Sequence, residues 1–492
     1  MKKVIAIDLG ASNGRLIVAK LQDQKLLLEE IHRFPNEPLT KGKHLFWDIS
    51  HLLNEIKSGL CKYVQKYGAT VDGIGIDTWG VDFGFISSDD RLLDHPYSYR
   101  DTHTSEIMNE VHQKITPEEL FNQTGVEPAP INTIYQLAAI IDKRPELSEK
   151  VSEIITMPSL IGFLMTGQKY NEFTHASTTQ LLSLKDQNWD PLLMETVFSQ
   201  QLPMAEIKET NIIVGQTSDQ LNQDTGLNPT SVINVPGHDT ACALAAMPLQ
   251  SKDTIFMSCG TWVLIGIEVK KPVVSKQAYE WGFTNEGTVD RTYRLQKNNM
   301  GLWLLQQCKK EWEEAGEVIS YQEESELMMQ VEPFQSFIDP DNQMFFNPDS
   351  MIKAIQEFCK KTNQTVPSTK GEFIRCIIES LALKYRWILE RIEKLTEQKA
   401  PSIHMVGGGI QNTLLCQFTA NATQKEVHAG PIEASAIGNA LSQFMALKEI
   451  NDLDEARDVS RYSFDIKKYS PQDINLWEEA YSRFIDGVGL HQ

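Results

Sequence analysis

The chain has 492 residues, of which 41% are hydrophobic and 23% charged, and its formal net charge is −20. This length exceeds what one hydrophobic core usually serves, so we expect two large domains. The negative charge argues against nucleic acid or an anionic membrane as a partner, because either would repel a protein that lacks a large basic patch.

No segment has the pattern of an export signal or a membrane span. The longest apolar stretch, Ala241–Leu249, is far short of the roughly 18–20 residues that a membrane span needs. Residues 1–3 lead directly into a predicted strand, which favours a cytoplasmic protein. The seven cysteines include no C-x-x-C pair, so structural zinc is not expected, and free thiols are favoured over a bridge between Cys359 and Cys376.

The first predicted element is a β-hairpin with a polar tip. The apolar runs Val4–Ile7 and Leu16–Val18 are typical of strands, and Asp8–Arg15 joins them. Two glycines in this turn allow backbone N–H groups to approach an anion, and the side chains add donors. A carboxylate beside such donors suits a nucleotide with Mg²⁺. An ordinary β-hairpin explains the same residues equally well.

Buried strands and polar breaks continue an α/β pattern. The strand Ile74–Asp77 is followed by the polar break Thr78–Gly80 and then by an alternating strand through Phe85. Asp77, like Asp8, ends an apolar strand. A polar side chain at such a position can bind a ligand or simply be solvated.

A carboxylate precedes the short helix predicted at Ala241–Met247. Asp239 would lie at the N-terminus of this helix, where the helix dipole favours the anion by about 0.3–1 kcal/mol. A capping aspartate explains this position, and capping is compatible with a role as general base. An ionised aspartate held by a turn can accept the proton of a sugar hydroxyl, which typically contributes about 10²–10⁴ in rate.

A second hairpin with a glycine-containing tip starts near residue 254. Thr254–Met257 leads through Ser258–Thr261 into Trp262–Gly266, which repeats the strand–turn–strand order of the first hairpin. Two such hairpins indicate two similarly built halves. We therefore predict an N-terminal domain at 1–246, a C-terminal domain at 247–454 and a packing tail at 455–492.

The clearest helical period lies at residues 373–392. Apolar residues recur there at spacings of three and four, as in a helix with one face toward a core. The strand Ile403–Val406 follows, then Gly407–Gly409, and Asn412 can cap the next helix. Glycines between a strand and a helix let a flat or charged ligand group approach the backbone, although such a run also occurs in simple loops.

Together these segments resemble the FGGY carbohydrate kinases, and most closely those members that act on L-rhamnulose. The resemblance covers nearly the whole chain and rests on Ala11–Arg15, Ile76–Phe83, Asn132–Leu137, Asn171–Ser177, Gly237–Thr240, Gly260–Trp262, Asn298–Gln306 and Gly407–Leu415. It implies an α/β fold of two ribonuclease-H-like domains, of the actin/hexokinase ATPase type, with a cleft between them. It also implies ATP-dependent phosphorylation of O1 of L-rhamnulose by a monomer or weak homodimer that uses ATP and Mg²⁺.

The resemblance also assigns roles to particular residues. Asp239 would be the general base, and Asp8 would hold the Mg²⁺ shell through water. The nucleotide would be contacted by Ala11, Ser12, Asn13, Gly14, Arg15, Thr261, Asn298, Gln306 and Gly408. The sugar would be contacted by Gly80, His238, Asp239 and Thr240, with Trp79, Asp82 and Phe83 nearby. Trp79 and Phe83 could instead be core aromatics.

Some positions depart from the family pattern. His103 stands where the family has arginine, and Gly237 and Cys259 stand where serine is commoner. Glycine before His-Asp-Thr also occurs in kinases of L-fuculose, so an L-fuculose kinase or another ketose kinase of the family is the alternative. Contacts worth about one or two kcal/mol decide between such sugars. A more remote alternative is an actin-like protein that binds sugar or nucleotide without catalysis.

Overall fold

The computed structural model describes residues 2–249 and 251–490. Within these residues no helix combines the length and the apolar character that crossing a bilayer requires. The strands before residue 250 are β1 (Lys3–Leu9), β2 (Asn13–Gln22), β3 (Lys25–Pro35), β4 (Leu39–Lys41), β5 (His44–Phe46), β6 (Gly73–Thr78), β7 (Phe83–Ile86), β8 (Glu153–Thr156), β9 (Asn171–Glu172), β10 (Leu182–Ser183), β11 (Asn188–Trp189), β12 (Ile207–Lys208), β13 (Ile212–Gln216) and β14 (Ser231–Asn234). The later strands are β15 (Ile255–Cys259), β16 (Trp262–Val269), β17 (Thr284–Gly287), β18 (Tyr293–Met300), β19 (Ser402–Val406), β20 (Glu426–Ala429) and β21 (Lys467–Tyr469).

Helices alternate with these strands. Those before residue 250 are α1 (Ile49–Tyr67), α2 (Ile107–Lys114), α3 (Pro117–Thr124), α4 (Thr133–Lys143), α5 (Pro145–Ser148), α6 (Met157–Thr166), α7 (Phe173–Ala176), α8 (Pro191–Phe198), α9 (Asp219–Thr225) and α10 (Asp239–Ala246). The later ones are α11 (Lys276–Glu280), α12 (Trp303–Glu314), α13 (Tyr321–Met329), α14 (Met351–Lys361), α15 (Lys370–Thr396), α16 (Thr413–Thr423), α17 (Ala434–Ala446), α18 (Leu453–Ser463) and α19 (Ile474–Val488). Short 3₁₀ helices lie at Gln343–Phe345 and Gly408–Gln411.

Contacts divide the chain into two compact units. The first unit comprises the chain up to Pro248, Val269–Leu295 and Ala434–Phe464; the second comprises Leu249–Glu268, Gln296–Glu433 and the chain from Asp465 on. These units differ from the continuous segments expected from the sequence. Helix α17 packs on β1 and β6 and so lies in the first unit. The last segment is more than a tail, because β21 pairs with β20 in the sheet of the second unit.

A six-stranded sheet in the order β13-β14-β6-β1-β2-β3 forms the centre of the first unit. Strands β1, β6 and β14 are parallel, and β2 is antiparallel to β1. Ile5 and Ile7 belong to one buried cluster with apolar residues of α1, whereas Ala6 packs with Ala436 of α17. Burial on both faces explains why β1 is a continuous apolar run rather than an alternating one.

The register of this sheet places polar residues side by side at one end. Asp8 on β1 pairs with Arg15 on β2 and with Asp77 on β6. Thr78 forms an isolated bridge with His238, just beyond β14. The carboxyl ends of parallel strands meet at the same edge of a sheet, which is where α/β proteins commonly bind ligands.

The second unit repeats this strand order. Its sheet runs β18-β16-β15-β19-β20-β21, with β18 entering the unit at Gln296. Strand β16 is antiparallel to β15, while β15, β19 and β20 are parallel. The predicted α/β fold is confirmed. The predicted helix at 373–392 lies within α15, which begins at a capping box formed by Thr369 and Glu372.

Helices α10 and α17 of the first unit touch through their backbones. A Cβ on Gly438 would lie 1.8 Å from the carbonyl oxygen of Cys242. Glycine is therefore required at this position, since any side chain would push the two helices apart. This contact fixes α10, the helix that begins with Asp239.

Candidate active site

Carboxylates of the first unit gather at the carboxyl-terminal edge of its sheet. Asp8 lies near the end of β1, Asp77 near the end of β6, and Asp239 is the first residue of α10. Burial raises the pKa of Asp77 well above its ordinary value, and repulsion from Asp8 and Asp239 adds to the rise. Burial also raises the pKa of Asp239, opposed by His238 and reinforced by Asp8. The three groups form one electrostatically connected acidic cluster.

Asp239 does not cap its helix. His238 occupies the N-cap position of α10, and no side chain caps that end. Oδ1 of Asp239 accepts a hydrogen bond from the Thr240 hydroxyl at 3.1 Å and lies 3.4 Å from Nε2 of His238. The side chain is 32% exposed, so a substrate can reach it. A raised pKa makes its carboxylate a stronger base toward a hydroxyl proton.

Arg15 holds Asp8 through a two-point contact. Its Nε and Nη2 donate to Oδ2 of Asp8 at 3.0 and 2.7 Å, between paired residues of β1 and β2. The fork geometry of arginine suits this bidentate contact with a carboxylate. Asp8 and Arg15 are therefore fixed together at the base of the hairpin tip.

The donor set suits a divalent cation that arrives with phosphates. Asp77 Oδ2 accepts a hydrogen bond from Nδ2 of Asn439 at 2.7 Å, and its Oδ1 is buried without a hydrogen-bond partner. Among the described residues no group of three or more His, Cys, Asp or Glu side chains is arranged to hold a metal ion. Mg²⁺ usually binds through one or two carboxylates together with phosphates and water. Asp8 and Asp77 fit that mode.

The hairpin tip presents polar groups beside several guanidinium groups. Ser12 and Asn13 are exposed. Nη2 of Arg100 donates to Oγ of Ser12, and Nη1 of Arg33 donates to Oδ1 of Asn13, both at 3.4 Å. Arg33 also pairs with the Glu30 carboxylate, which offsets its charge, whereas Arg100 adds positive charge beside Ser12 that favours a phosphate.

Two other residues of the predicted phosphate-binding turn are less exposed to solvent. Ala11 is half-buried, and Gly14 is buried. A Cβ on Gly14 would lie 2.3 Å from the ring of Phe34, so glycine is needed there for packing. The side chain of Asn36 steadies the turn by donating to the carbonyl of Gly10 at 2.8 Å.

A buried glutamate positions the turn that precedes Asp239. Oε2 of Glu172 accepts hydrogen bonds from the Gly237 N–H and the Thr174 hydroxyl, each at 2.7 Å. The Thr174 hydroxyl oxygen in turn accepts the N–H of His238 at 3.2 Å. A Cβ on Gly237 would lie 2.8 Å from Oε2 of Glu172, which explains why this chain has glycine there. The segment Asn171–Ser177 thus supports the turn that precedes Asp239.

A strained turn carries Gly80. The N–H of Asp82 donates to the Gly80 carbonyl at 2.9 Å, which closes a three-residue turn around Val81 with φ at +67°. A β-branched residue rarely adopts this conformation, and such strain tends to occur at functional sites. The Val81 N–H donates to Oγ1 of Thr178 at 3.0 Å, which helps to hold the turn. A Cβ on Gly80 would lie 3.4 Å from Nε2 of His238, so Gly80 borders that ring.

Asp82 and its aromatic neighbours are buried next to this turn. Oδ2 of Asp82 accepts hydrogen bonds from the indoles of Trp47 and Trp79 at 2.5 and 2.8 Å, and Oδ1 accepts one from Gln136 at 2.9 Å. Burial raises the pKa of Asp82 to about 6 despite these bonds. Trp79 and Phe83 are each 4% exposed and belong to hydrophobic cores. These contacts favour a supporting role, and direct sugar contact stays a prediction.

His103, which stands in place of the family arginine, is a buried structural residue. Its backbone N–H donates to Oδ1 of Asp101 at 2.8 Å, and its ring stacks on the ring of Tyr97 at a centroid distance of 4.3 Å. Burial lowers the pKa of His103 to about 4, so the ring is neutral at physiological pH. It cannot supply the positive charge of the arginine it replaces.

In the second unit, glycine-containing segments gather around the tip of the β15–β16 hairpin. A Cβ on Gly407 would lie 2.6 Å from the Cys259 carbonyl oxygen, and one on Gly301 would lie 2.8 Å from that of Gly260. The Gly301 N–H donates to the Thr261 carbonyl at 3.0 Å. Oγ1 of Thr261 donates to Oε1 of Gln306 at 3.4 Å, so two predicted nucleotide contacts lie together.

The remaining predicted nucleotide residues are accessible in different ways. A Cβ on Gly408 would have no heavy atom within 4 Å, so a ligand group can approach the backbone there. Asn298 is exposed on β18. An exposed aromatic pair, Trp262 with Phe346, has ring centroids 6.0 Å apart close to the tip. Nothing in the sequence pointed to Phe346, because the pair joins residues distant along the chain.

Sequence reasoning also missed Glu286 and Arg294, which contact His238. Nη2 of the fully buried Arg294 donates to Nδ1 of His238 at 2.7 Å and to Oε2 of Glu286. Glu286 Oε2 lies 3.1 Å from the same Nδ1. Both residues come from β17 and β18, and no local motif connects them to His238.

Comparison with solved structures defines the fold. The fold is similar to that of a xylulose kinase from Lactobacillus acidophilus, with a TM-score of 0.82, 15% identity, and coverage of 99% of this chain and 97% of that one. It is also similar to a Plasmodium falciparum glycerol kinase solved with ADP, with a TM-score of 0.79, 16% identity, and coverage of 100% and 99%. At such identities the likeness establishes the fold, which is that of two-domain sugar kinases.

Sequence comparison then establishes the family. Residues 3–246 match the N-terminal domain, and residues 255–447 the C-terminal domain, of the FGGY family of carbohydrate kinases. The chain belongs to this family, and the predicted family and enzyme class are confirmed. It is 39% identical to a rhamnulokinase of Bacteroides thetaiotaomicron over 98% of this chain and 99% of that protein. It is also 39% identical to a rhamnulokinase of Bacillus subtilis over 96% of each chain.

Proposed function

We propose that this protein transfers the γ-phosphoryl group of ATP to O1 of L-rhamnulose. Similarity over nearly the full length to proteins named rhamnulokinase supports the choice of sugar. The observation that carries the catalytic part is Asp239, a partly exposed carboxylate beside Asp8 and Asp77 at one sheet edge. A filament-forming or sensing relative of this fold has no need of such a base beside His238 and Gly80.

In this proposal Asp239 acts as the general base. The O1 hydroxyl of the sugar gives its proton to the Asp239 carboxylate while its oxygen forms a bond to the γ-phosphorus. The bond between that phosphorus and the β,γ-bridging oxygen breaks, and ADP leaves. Phosphoryl transfer needs positioning and charge stabilisation more than covalent help from the protein. The raised pKa of Asp239 favours acceptance of the proton.

Each unit has its own group of residues that would contact the nucleotide. In the first unit Ala11, Ser12, Asn13, Gly14 and Arg15 would bind phosphate through backbone and side-chain donors, with Arg100 adding positive charge. In the second unit Thr261, Gln306, the open backbone at Gly408 and Asn298 on β18 would contact the nucleotide.

Asp8 and Asp77 would hold Mg²⁺, through water or directly, when the nucleotide brings it. The buried, unpaired Oδ1 of Asp77 and the acidic surroundings of Asp8 support this assignment. The cation would neutralise charge on the β- and γ-phosphates. Asp8 stays fixed by Arg15 while it does so.

A coupled assay of ADP release tests the proposal. Purified protein with ATP and Mg²⁺ is given L-rhamnulose, L-fuculose, L-ribulose, D-xylulose or glycerol in parallel. We expect L-rhamnulose to give the highest kcat/KM. A preference for L-fuculose would establish the alternative ketose kinase, and ADP release independent of every sugar would refute kinase activity on this class of substrate.

A further inference from the structure

We propose that Glu286 and Arg294 are positioning residues that keep the proton of the His238 ring on Nε2, where it serves as a hydrogen-bond donor beside Asp239. This inference rests on the proposed function. It assigns to two buried residues a role in orienting a sugar-binding group.

The contact with Arg294 fixes which ring nitrogen can accept. Nη2 of Arg294 lies 2.7 Å from Nδ1 of His238. A guanidinium has only donors and keeps its charge at any ordinary pH, so Nδ1 must offer a lone pair in this contact. A neutral imidazole that accepts at Nδ1 carries its proton on Nε2.

Glu286 holds Arg294 in place. Arg294 has no exposed surface, and its Nη2 donates to Oε2 of Glu286. Burial alone would raise the pKa of Glu286, but the Arg294 guanidinium lowers it, so the carboxylate is ionised when the enzyme works. Without this partner a buried guanidinium would be uncompensated, which is strongly unfavourable.

A competing arrangement would place the proton on Nδ1, facing Glu286. Oε2 of Glu286 lies 3.1 Å from Nδ1, which is longer than the contact with Arg294. A proton on Nδ1 would also meet the Arg294 N–H donor 2.7 Å away, and two donors at that distance repel. The geometry therefore favours the tautomer with Nε2–H.

The other side of the ring faces the reacting region. Nε2 lies 3.4 Å from Oδ1 of Asp239, and a Cβ on Gly80 would lie 3.4 Å from the same nitrogen. An Nε2–H in this place attracts the Asp239 carboxylate and can donate to a sugar oxygen. In the other tautomer the Nε2 lone pair would face that carboxylate and repel it.

Steady-state kinetics of paired variants test this role. Glu286→Gln and Arg294→Gln are each expected to lower kcat/KM for L-rhamnulose by about 10–100-fold, a typical cost of losing a group that orients a ligand-binding side chain. The KM for ATP should change less than about twofold, since neither residue belongs to the nucleotide site. Arg291→Gln is the matched control, because Arg291 precedes Arg294 on the same segment and also pairs with a carboxylate. Its Nε donates to Oε2 of Glu209 at 2.9 Å. This variant should leave both constants unchanged.

A double-mutant cycle separates positioning from general stabilisation. If Arg294 acts through His238, Arg294→Gln should add little to the loss already caused by His238→Gln. Losses that multiply independently in the double variant would overturn the proposal. Equal loss in Arg291→Gln would do so too.

Nitrogen NMR of histidine-labelled wild-type protein reads the tautomer directly, even if the Glu286 and Arg294 variants fail to fold. We expect the His238 resonances, assigned by their loss in His238→Gln, to report a proton on Nε2. A proton on Nδ1 would refute the inference whatever the sugar specificity. Conversely, an Nε2–H tautomer in a protein without sugar-dependent ADP release would leave the geometry intact and refute the proposed function alone.

Discussion

The two hairpin tips of this protein occupy the same place in the same strand order but differ in chemistry. The tip after β1 is surrounded by charged side chains: Asp8 and Arg15 pair on the hairpin, and Asp77 lies beside them. The tip after β15 is built from Cys259, Gly260 and Thr261, against which glycine backbones pack. The sheet edge of the first unit thus carries charged side chains, whereas the sheet edge of the second unit allows a ligand group to approach the backbone.

The phosphoryl transfer proposed above accounts for this difference. A proton acceptor and a cation need carboxylates, which must be oriented by partners such as Arg15 and Asn439. A polyphosphate can be held by backbone N–H groups, which glycine exposes. Under this proposal the same scaffold would support proton transfer and cation binding in the first unit and ligand approach in the second.

The largest effect expected is on turnover, from Asp239→Asn. The amide keeps the shape but cannot accept the hydroxyl proton, so we expect kcat to fall by about 10²–10⁴ with the fold intact. Steady-state kinetics measure kcat, and thermal unfolding shows whether the fold is intact. Asp219→Asn is the matched control, because Asp219 also begins a helix, α9, and should leave kcat unchanged. Turnover within about threefold of wild type in Asp239→Asn would remove Asp239 from the role of base.

The next largest effect is expected on stability, from Gly407→Ala at the tip of the β15–β16 hairpin. Gly407 has φ at +87°, and an added Cβ would lie 2.6 Å from the Cys259 carbonyl oxygen. We expect a loss of about 2–4 kcal/mol in the free energy of unfolding, from the left-handed conformation and the clash together.

Gly408→Ala is the companion variant, because its added Cβ meets no heavy atom within 4 Å. It should leave stability within about 0.5 kcal/mol of wild type. If Gly408 borders the nucleotide, the KM for ATP should still rise in this variant. Equal destabilisation by both substitutions in denaturant titrations would contradict the difference between the two glycines.

Local patterns made much of this fold predictable, whereas long-range contacts did not. The hairpin at Asp8–Arg15 and the helix at 373–392 were visible because apolar periodicity is a local property. The place of α17 in the first unit was not, since only its packing on β1 and β6 reveals it. Glu286 and Arg294 escaped notice for the same reason, because they reach His238 from β17 and β18.

Arg15→Lys tests the contact between Arg15 and Asp8 at the charged sheet edge of the first unit. Lysine keeps the charge but cannot reproduce the two-point contact of Nε and Nη2 with Asp8. We expect the KM for ATP to rise about five- to twentyfold, which corresponds to roughly 1–2 kcal/mol for the lost contact. Arg144→Lys, which alters a similar contact with Asp94 away from this edge, should leave the KM unchanged. Identical values for the two variants would show that the Asp8 pairing does not organise the phosphate turn.

The smallest effect expected is a pH dependence of stability that comes from Asp82. Its folded-state pKa of about 6 lies above the ordinary value of 3.8, so the folded protein binds this proton more tightly than the unfolded chain. The stabilisation is complete below pH 3.8 and is lost as the pH rises through 6, with a slope of at most about 1.4 kcal/mol per pH unit. Denaturant titrations from pH 4 to 7, followed by tryptophan fluorescence, should show the stability of wild type falling relative to Asp82→Asn over this interval. A constant difference between the two proteins would mean that Asp82 stays ionised in the fold, stabilised by its hydrogen bonds from Trp47, Trp79, Gln136 and the Tyr99 N–H.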